Sequence, residues 1–295
     1  MNNKNDYRSG LSSALFCGLL WGLLPIYWNS LKPIDSFVII FYRVVLMALV
    51  CLIASSHVYG FKNVLKPLVS SKKSFFTYLF AGFIITINWS IYIWAVNAGY
   101  VIQTSMGYFL EPLVVCVFGM ILYKEHANRW KKIAMTLGVA GLLVMVIGYH
   151  ELPLIAIGLG LSFAIYAAIK KSVTVSPLQS LLCETVMLVP IALGFIIYYE
   201  HAGQGALSVG SVSKFLLLLL AGIATAIPLG LFSFAASRLP LITLGLTEYV
   251  SPSISLILGI FLFKEKFDLI QFSAFVLIWI GLVFFTYGEV KEQRK

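Results

Sequence analysis

The sequence contains little charge. Only 11% of its 295 residues are Asp, Glu, Lys or Arg, against about 25% in an average soluble domain. Hydrophobic residues make up 60% of the chain, mean hydropathy is +0.94, and the charges cluster between long apolar runs. This composition excludes a soluble globular protein and indicates a chain that crosses a lipid bilayer several times.

Signatures of enzymes, pumps and metal sites are missing as well. The chain has no G-x-x-x-x-G-K-[ST], H-E-x-x-H or G-x-S-x-G motif, which argues against an ATP-driven pump and against an intramembrane enzyme. Its four histidines lie at the ends of apolar runs or between them, and its four cysteines lie inside such runs without metal-ligand spacing. We therefore expect no catalytic residue, no cofactor and no metal.

Ten apolar runs are each long enough to cross the hydrocarbon core of a bilayer, about 30 Å thick, as a helix. They cover residues 9–29, 35–57, 74–97, 101–123, 130–148, 152–170, 178–199, 213–236, 240–263 and 270–287. The first run has no A-x-A-like cleavage site and is expected to remain as a span. The predicted fold is an all-α membrane protein with ten transmembrane helices.

The basic residues predict the orientation of these spans. The net charge is +9, but no soluble domain could present a basic patch, so no nucleic-acid partner is expected. With the N-terminus inside, the inner segments hold 16 of the 21 Lys and Arg, the outer loops hold 4, and Arg43 lies within the membrane. The positive-inside rule then predicts a multi-pass membrane protein with both termini in the cytoplasm.

A repeat with a constant spacing of 140 residues runs through three of these helices. The matching positions are Ala81 and Ala221, Pro112 and Pro252, Gly119 and Gly259, Lys124-Glu125 and Lys264-Glu265, and Gly141 and Gly281. We predict two five-helix repeats, residues 1–150 and 151–295. Because five is odd, the second repeat enters the membrane from the other side. Such inverted-topology repeats are typical of secondary transporters with a substrate site near the midplane. A duplicated bundle without transport is the alternative.

Four ionisable residues lie within predicted helices: Arg43, Glu111, Glu184 and Glu248. Each is costly against lipid, so each should face protein or a water-filled cavity. For Glu111 and Glu248 we favour binding of a substrate or a proton, since a desolvated carboxylate can titrate near neutral pH. For Arg43 and Glu184, nearer to helix ends, a structural role is favoured.

The repeat places polar side chains around both favoured acids. Tyr108 matches Glu248 and Glu111 matches Ser251, and each half carries its two positions on one helix face. Pro112 and Pro252 each free a backbone carbonyl beside them. Further candidates for a cavity wall are Asn88, Tyr92, Trp21 and Tyr166, because aromatic rings with one polar atom suit an amphipathic ligand.

Glycines at helical spacing predict close helix packing. Gly18-x3-Gly22 fits a tight helix–helix contact. Gly138 and Gly141 are consistent either with packing within the chain or with self-association. A homodimer is therefore one of the alternatives.

The stretch from Asn88 to Glu125, NWSIYIWAVNAGYVIQTSMGYFLEPLVVCVFGMILYKE, resembles the RarD group in the EamA branch of the drug/metabolite transporter superfamily. WGLLPIYW in the first run and SFAIYAAIKK in the sixth also match, and the resemblance covers nearly the whole chain. It implies an inner-membrane carrier, in a group named in connection with chloramphenicol sensitivity, with a central cavity lined largely by spans 1, 3, 4, 6, 8 and 9. Amides are common in that group where this chain has Glu111 and Glu248.

These observations predict a secondary transporter of small polar or amphipathic metabolites or drugs. We expect it to work by alternating access, to export rather than import, and to couple to protons or bind a cationic group through Glu111 and Glu248. An uncoupled facilitator would have the same fold without dependence on a pH gradient. A non-transporting receptor would normally need larger loops than this chain has.

Overall fold

The computed structural model describes residues 4–98, 100–150, 152–264 and 268–293, and regular structure within these ranges is helical throughout. The fifteen α-helices are α1 (Lys4–Ser30), α2 (Ser36–Tyr59), α3 (Lys66–Val69), α4 (Lys72–Asn97), α5 (Val101–Leu122), α6 (Arg129–Tyr149), α7 (Leu154–Ser172), α8 (Pro177–Val186), α9 (Val189–His201), α10 (Ala206–Val209), α11 (Val212–Leu218), α12 (Ala221–Ala236), α13 (Leu241–Glu248), α14 (Val250–Phe261) and α15 (Leu269–Gln293). The predicted all-α membrane fold is confirmed.

The number of spans agrees with the prediction when one bent pair is counted as a single span. Within the described ranges, nine helical segments are long and apolar enough to cross a membrane. A tenth is formed by Pro177–Val186 and Val189–Val209, which meet at an angle of 54°. Backbone groups in hydrocarbon need partners inside the helix, and this explains why the apolar runs fold this way.

Polar side chains at the membrane surfaces fix where several spans begin. The carboxylate of Asp35 accepts a hydrogen bond from the Phe37 backbone N–H at 2.8 Å and starts α2. The side-chain oxygen of Asn128 accepts one from the Lys131 backbone N–H at 2.8 Å and starts α6. Such caps satisfy backbone donors that have no partner within the helix.

The predicted span 178–199 is not one straight helix. It breaks between α8 and α9, and Pro190 stands in the first turn of α9. Proline has no backbone N–H, so the carbonyl of Val186, four residues earlier, loses its helical partner where α8 ends. Hydropathy alone could not show this bend, because the run stays apolar on both sides of it.

Two further predicted spans are broken as well. The span 213–236 consists of α11 and α12, which meet at Leu219 and Leu220, and no proline marks that break. The span 240–263 consists of α13 and α14, which meet at Tyr249. Pro252 cannot bond to the carbonyl of Glu248, beside this interruption. Pro112, the equivalent proline in the repeat, lies inside α5, which is not interrupted.

The predicted tight contact of the first span is confirmed. A Cβ on Gly22 would lie 2.6 Å from the Cβ of Ile254, and one on Gly18 would lie 3.1 Å from the Cβ of Val250. Only glycine lets α1 approach α14 this closely. Gly138 and Gly141 also face neighbours within the chain, so neither supplies support for self-association.

Both ends of the described chain lie on one surface of the bundle. The Tyr7 hydroxyl, in the second turn of α1, donates a hydrogen bond to the Glu289 carboxylate in α15. We call this surface the terminal face. α1 has 27 residues and is about 40 Å long, so its far end and the connection 31–35 lie on the other surface, the opposite face.

Candidate functional site

A cavity of about 210 Å³ lies in the interior, between α1, α2, α4, α5, α7, α12, α13 and α14. Seven of the eight predicted site residues line it. They are Trp21, Asn88, Tyr92, Tyr108, Glu111, Glu248 and Ser251. The cavity is smaller than the about 300 to 1,000 Å³ of typical sites for drug-sized ligands, so this conformation has room for a small molecule only.

The two acids contribute carboxylates to this cavity without a basic partner. Glu111 stands in the middle of α5, and Glu248 is the last residue of α13 and only 4% exposed. Within the described residues, neither carboxylate has a hydrogen bond or an ion pair, and the three ion pairs present join other side chains. Both carboxylates line the same cavity. Two carboxylates without a basic partner in one buried space favour binding of a proton or another cation.

The interruption between α13 and α14 holds Glu248 in position. Tyr249, at the break, is 2% exposed, and its hydroxyl donates a hydrogen bond to the Phe109 backbone carbonyl in α5 at 2.9 Å. The α5 backbone around Glu111 and the α13 end around Glu248 are therefore connected directly. Phe109 and Tyr249 are themselves 140 residues apart.

The remaining predicted residues form the polar and aromatic walls. The amide nitrogen of Asn88 donates to the Leu159 carbonyl and the Ser162 hydroxyl, both at 2.9 Å, which ties α4 to α7. The rings of Tyr92 and Tyr108 pack with their centroids 6.0 Å apart. Such walls offer apolar area with a few fixed polar atoms, as small-molecule sites usually do.

Tyr166 lies outside the cavity wall, contrary to the expectation for it. It is fully buried one layer behind the wall, where it stacks on Phe232 with 6.0 Å between the ring centroids, and Phe232 in turn packs against Trp21. Its hydroxyl donates to the Glu184 carboxylate at 3.2 Å. Tyr166 is a helix-packing residue because α7 turns this side of its surface toward α8 and α12.

Glu184 forms a buried ion pair, in line with the structural role favoured for it. Its carboxylate lies 2.5 Å from the Lys170 ammonium, and the Ser180 hydroxyl contacts both groups, at 2.7 Å from Glu184 and 2.6 Å from Lys170. Lys170 and Glu184 are 1% and 2% exposed. Each of the four polar groups of this cluster, Tyr166 included, has a partner within the cluster.

Several lining residues were not predicted from the sequence. They are Trp28, Arg43, Trp89 and Thr225. Five pairs of lining residues are separated by the 140-residue interval of the repeat, and two of the pairs include Thr225 and Trp89. The pairs are Ile85 and Thr225, Trp89 and Leu229, Tyr108 and Glu248, Glu111 and Ser251, and Pro112 and Pro252.

A second cavity adjoins the first on the side of the opposite face. It has a volume of about 350 Å³ and extends to Asn29, Lys32 and Ser36, at the connection between α1 and α2. Five residues line both cavities: Pro25, Trp28, Arg43, Trp89 and Tyr92. The two cavities are therefore neighbours that share these side chains.

Polar contacts join the two halves of the chain at the terminal face. The Glu125 carboxylate accepts hydrogen bonds from the backbone N–H groups of Leu241 at 2.8 Å and Ile242 at 2.9 Å, at the start of α13. Lys171 lies 3.4 Å from the same carboxylate and donates to the Leu239 carbonyl at 2.5 Å. A carboxylate at a helix N-terminus is favoured by the helix dipole. We call Glu125, Lys171 and the backbone of 239–242 the latch. The repeat partner of Glu125, Glu265, lies outside the described residues.

Comparison with known proteins places this architecture in a family. The sequence model of the EamA-like transporter family matches residues 8–147 and again 153–287. The protein named uncharacterized transporter YojE of Bacillus subtilis is 34% identical over 291 residues, covering 98% of this chain and 97% of that protein. Protein RarD of Streptomyces exfoliatus is 35% identical over 295 residues, covering 100% and 93%. Protein RarD of Escherichia coli is 32% identical over 290 residues, covering 98% and 97%.

A solved structure has the same fold. One crystal structure superposes with a TM-score of 0.72 over 94% of this chain and 96% of its own, at 16% sequence identity. The family and the Bacillus subtilis relative are named transporters, which identifies this multi-pass membrane protein as a transporter and not an enzyme. With full-length relatives above 30% identity, the chain belongs to the EamA-like transporter family and is a RarD-type member of it.

Proposed function

We propose that this transporter is a secondary carrier that exports small polar or amphipathic molecules across the inner membrane by alternating access. In this proposal Glu111 and Glu248 carry a coupling proton or a cationic group of the substrate. Both termini lie in the cytoplasm, so the terminal face is the cytoplasmic one. The bias of 16 basic residues against 4 supports this orientation.

The observation that carries the proposal is the pair of acids in the cavity. Two carboxylates without a basic partner in the described structure would be costly for a merely structural bundle, since buried charges are normally paired. A second cavity adjoins theirs on the side of the opposite face, whereas the latch joins the two halves of the chain at the terminal face. This asymmetry is what one of the two states of an alternating-access carrier requires.

We further propose that residues 1–150 and 151–295 are inverted-topology repeats that exchange conformations during transport. The family model matches each half once. The five pairs of lining residues at 140-residue spacing support the same division. So do Lys124 and Lys264, which end equivalent spans with positive φ angles of 53° and 56°. A repeat related by a pseudo-two-fold axis lets one state become the other by a swap of the two halves.

Flux into sealed liposomes tests this function. Purified protein is reconstituted, and a panel of metabolites and antibiotics is screened with and without a pH gradient. We expect gradient-dependent movement of at least one compound. In Glu111→Gln and Glu248→Gln this dependence should be lost, because an amide keeps the shape but cannot take up a proton. Vesicles of known orientation report the direction of net movement.

The control variant is Glu200→Gln, which changes a carboxylate on α9 that contacts Tyr42 and the Leu207 backbone and does not line the cavity. It should retain the gradient dependence of the wild type. Movement that ignores the gradient in all variants would favour an uncoupled facilitator. Absence of movement for every compound, together with absence of binding, would favour a receptor and contradict the proposal.

A further inference from the structure

Arg43 is the cationic side chain of the cavity, and tryptophan rings hold it on two sides. Its guanidinium carbon lies 4.6 Å from the centre of the Trp28 ring and 4.3 Å from that of Trp89. Its Nε donates a hydrogen bond to the Thr225 hydroxyl at 3.1 Å. These contacts, from α1, α4 and α12, fix the plane of the guanidinium.

The contacts of Arg43 leave most of its donors unused. A guanidinium carries five N–H donors, and in the described part of the chain only the one on Nε has a protein acceptor. No carboxylate of that part lies within ion-pair distance of it. The contrast with the lysines of the three ion pairs is direct, because Lys131, Lys170 and Lys171 each pair with a glutamate.

The cavity therefore holds acidic and basic side chains that do not pair with each other. Glu111, Glu248 and Arg43 line the same space, yet no ion pair forms between either acid and the arginine. A fold that only had to bury these groups would gain by pairing them. Their separation leaves each available to a molecule in the cavity, and Arg43 also lines the neighbouring cavity on the side of the opposite face.

We infer that Arg43 forms the subsite for an oxyanionic group, a carboxylate or a phosphate monoester, on the molecule that the cavity takes up. A fixed, planar guanidinium with free terminal N–H groups matches such oxyanions bidentately. This inference rests on the proposed function and narrows its substrate class. A molecule bound there presents its anionic group to Arg43, and the acids hold its cationic group or the coupling proton.

Tryptophan fluorescence gives a direct test that does not require transport. Trp28 and Trp89 flank Arg43, so an anion that binds there should alter their emission. Purified protein in detergent is titrated with acetate, methyl phosphate and acetamide, with chloride keeping the ionic strength constant. We expect a saturable change with acetate, methyl phosphate or both. Acetamide, which has the shape of acetate without its charge, should have no effect.

Variants assign the signal to Arg43. In Arg43→Gln the apparent Kd of the active anion should rise about tenfold or more, the usual loss when a charged hydrogen-bonding group is removed. Arg43→Lys keeps the charge but lacks the planar guanidinium. Its apparent Kd should therefore lie between those of the wild type and Arg43→Gln. The control is Arg238→Gln, because Arg238 also stacks on an aromatic ring, Phe234, but does not line the cavity. It should titrate like the wild type.

Two results would overturn the inference: no saturable change with either anion in the wild type, or the same apparent Kd in Arg43→Gln. Arg43 would then be only a packing contact among α1, α2, α4 and α12. If Arg43→Gln fails to give a monodisperse protein, the comparison of wild type with Arg43→Lys decides. A response to acetate alone or to methyl phosphate alone selects the carboxylate or the phosphate class. Flux can fail while this titration succeeds, so the two proposals fail separately.

Discussion

At the scale of single residues, glycines decide how closely the helices around the cavity approach. Gly22 of α1 sits where a Cβ would overlap Ile254 of α14, and the Ser255 hydroxyl donates to its carbonyl at 3.3 Å. Both Trp21 and Ser255, on either side of this contact, line the cavity. The packing of one glycine therefore also sets the width of the site.

Gly22→Ala should destabilise the protein despite the higher helix propensity of alanine. Overpacking of a tight contact costs about 1 to 3 kcal/mol, more than the about 1 kcal/mol that alanine gains over glycine in a helix. The measurement is the unfolding temperature in detergent. Gly194→Ala is the matched control, because a Cβ there meets nothing within 4 Å. It should unfold at the same or a higher temperature, and an equal drop in both variants would contradict the role of close packing at Gly22.

The buried pair of Lys170 and Glu184 gives a second prediction for single residues. Glu184→Gln leaves the Lys170 ammonium unpaired in the interior and should cost about 3 to 5 kcal/mol. Adding Lys170→Met to Glu184→Gln should recover most of this loss, since no buried charge then remains. Thermal unfolding of the wild type, the single variant and the double variant measures this. A double variant that is less stable than Glu184→Gln would show that the unpaired ammonium is not the main cause of the loss.

At the residue scale, some residues of the site could be predicted from the sequence and others could not. The two acids could be located from the sequence, because an ionisable residue inside a membrane span must face protein or a cavity. The repeat then indicated the polar residues beside them. Tyr166 could not be assigned correctly. Whether a helical tyrosine faces a cavity or a neighbouring helix depends on the rotation of α7, and α7 is largely apolar all round. The sequence shows that Arg43 lies inside a predicted span. It does not show the two tryptophan neighbours of Arg43, because they come from α1 and α4 and meet it only in the folded bundle.

At the scale of secondary-structure elements, the latch joins the α5–α6 connection to α7 and to the start of α13. Glu125 supplies the contacts to the α13 backbone, and Gly119 lets α5 end close to it, since a Cβ there would lie 2.9 Å from the Cβ of Leu241. Tyr123 adds a hydrogen bond to the Ala168 carbonyl at 2.7 Å. These contacts must break for the terminal face to open.

Glu125→Gln should shift the equilibrium toward a state that is open at the terminal face. The change removes the charge that pairs with Lys171 and favours the helix N-terminus, a loss of about 1 to 3 kcal/mol, which would change the population ratio roughly 5- to 150-fold. Spin labels on His126→Cys and Ser237→Cys, both exposed positions, report the distance across the latch in a background without the native cysteines.

In Glu125→Gln, a larger fraction of molecules should show the longer distance between the two labels. The control is again Glu200→Gln, an acid that contacts Tyr42 near the opposite face, and its distance distribution should match that of the wild type. Identical distributions in Glu125→Gln and the wild type would show that the latch does not hold the closed state.

The spans themselves were predictable because length and hydropathy report membrane crossing directly. The breaks were harder to predict, because proline accompanies two of them but also lies inside the uninterrupted helices α1, α5 and α12. Pro190 and Pro252 remove a backbone donor at the α8–α9 and α13–α14 breaks. No such signal exists at the α11–α12 break, where α12 meets α2: the Leu46 carbonyl oxygen lies 2.5 Å from where a Gly222 Cβ would stand. Contacts of this kind form only in the folded bundle.

At the scale of the whole molecule, the proposed orientation requires both termini in one compartment and the 31–35 connection in the other. Reporter fusions at each terminus and impermeant thiol labelling of Lys32→Cys in cells measure this. We expect both termini inside and Lys32→Cys labelled from outside, because the basic residues favour that orientation. Labelling of Lys32→Cys only after the membrane is permeabilised would reverse the assignment of faces.

Alternating access requires that one cavity be reached from either side of the membrane in turn. The most direct measurement is the reactivity of Ser251→Cys, in a chain without the four native cysteines, toward an impermeant thiol reagent added to either side of sealed vesicles. Ser251 lines the cavity beside Glu248 and Glu111. We predict modification from both sides, with Glu125→Gln raising the rate from the terminal face and lowering it from the opposite face. Modification from one side alone, in the variant as in the parent, would contradict alternating access.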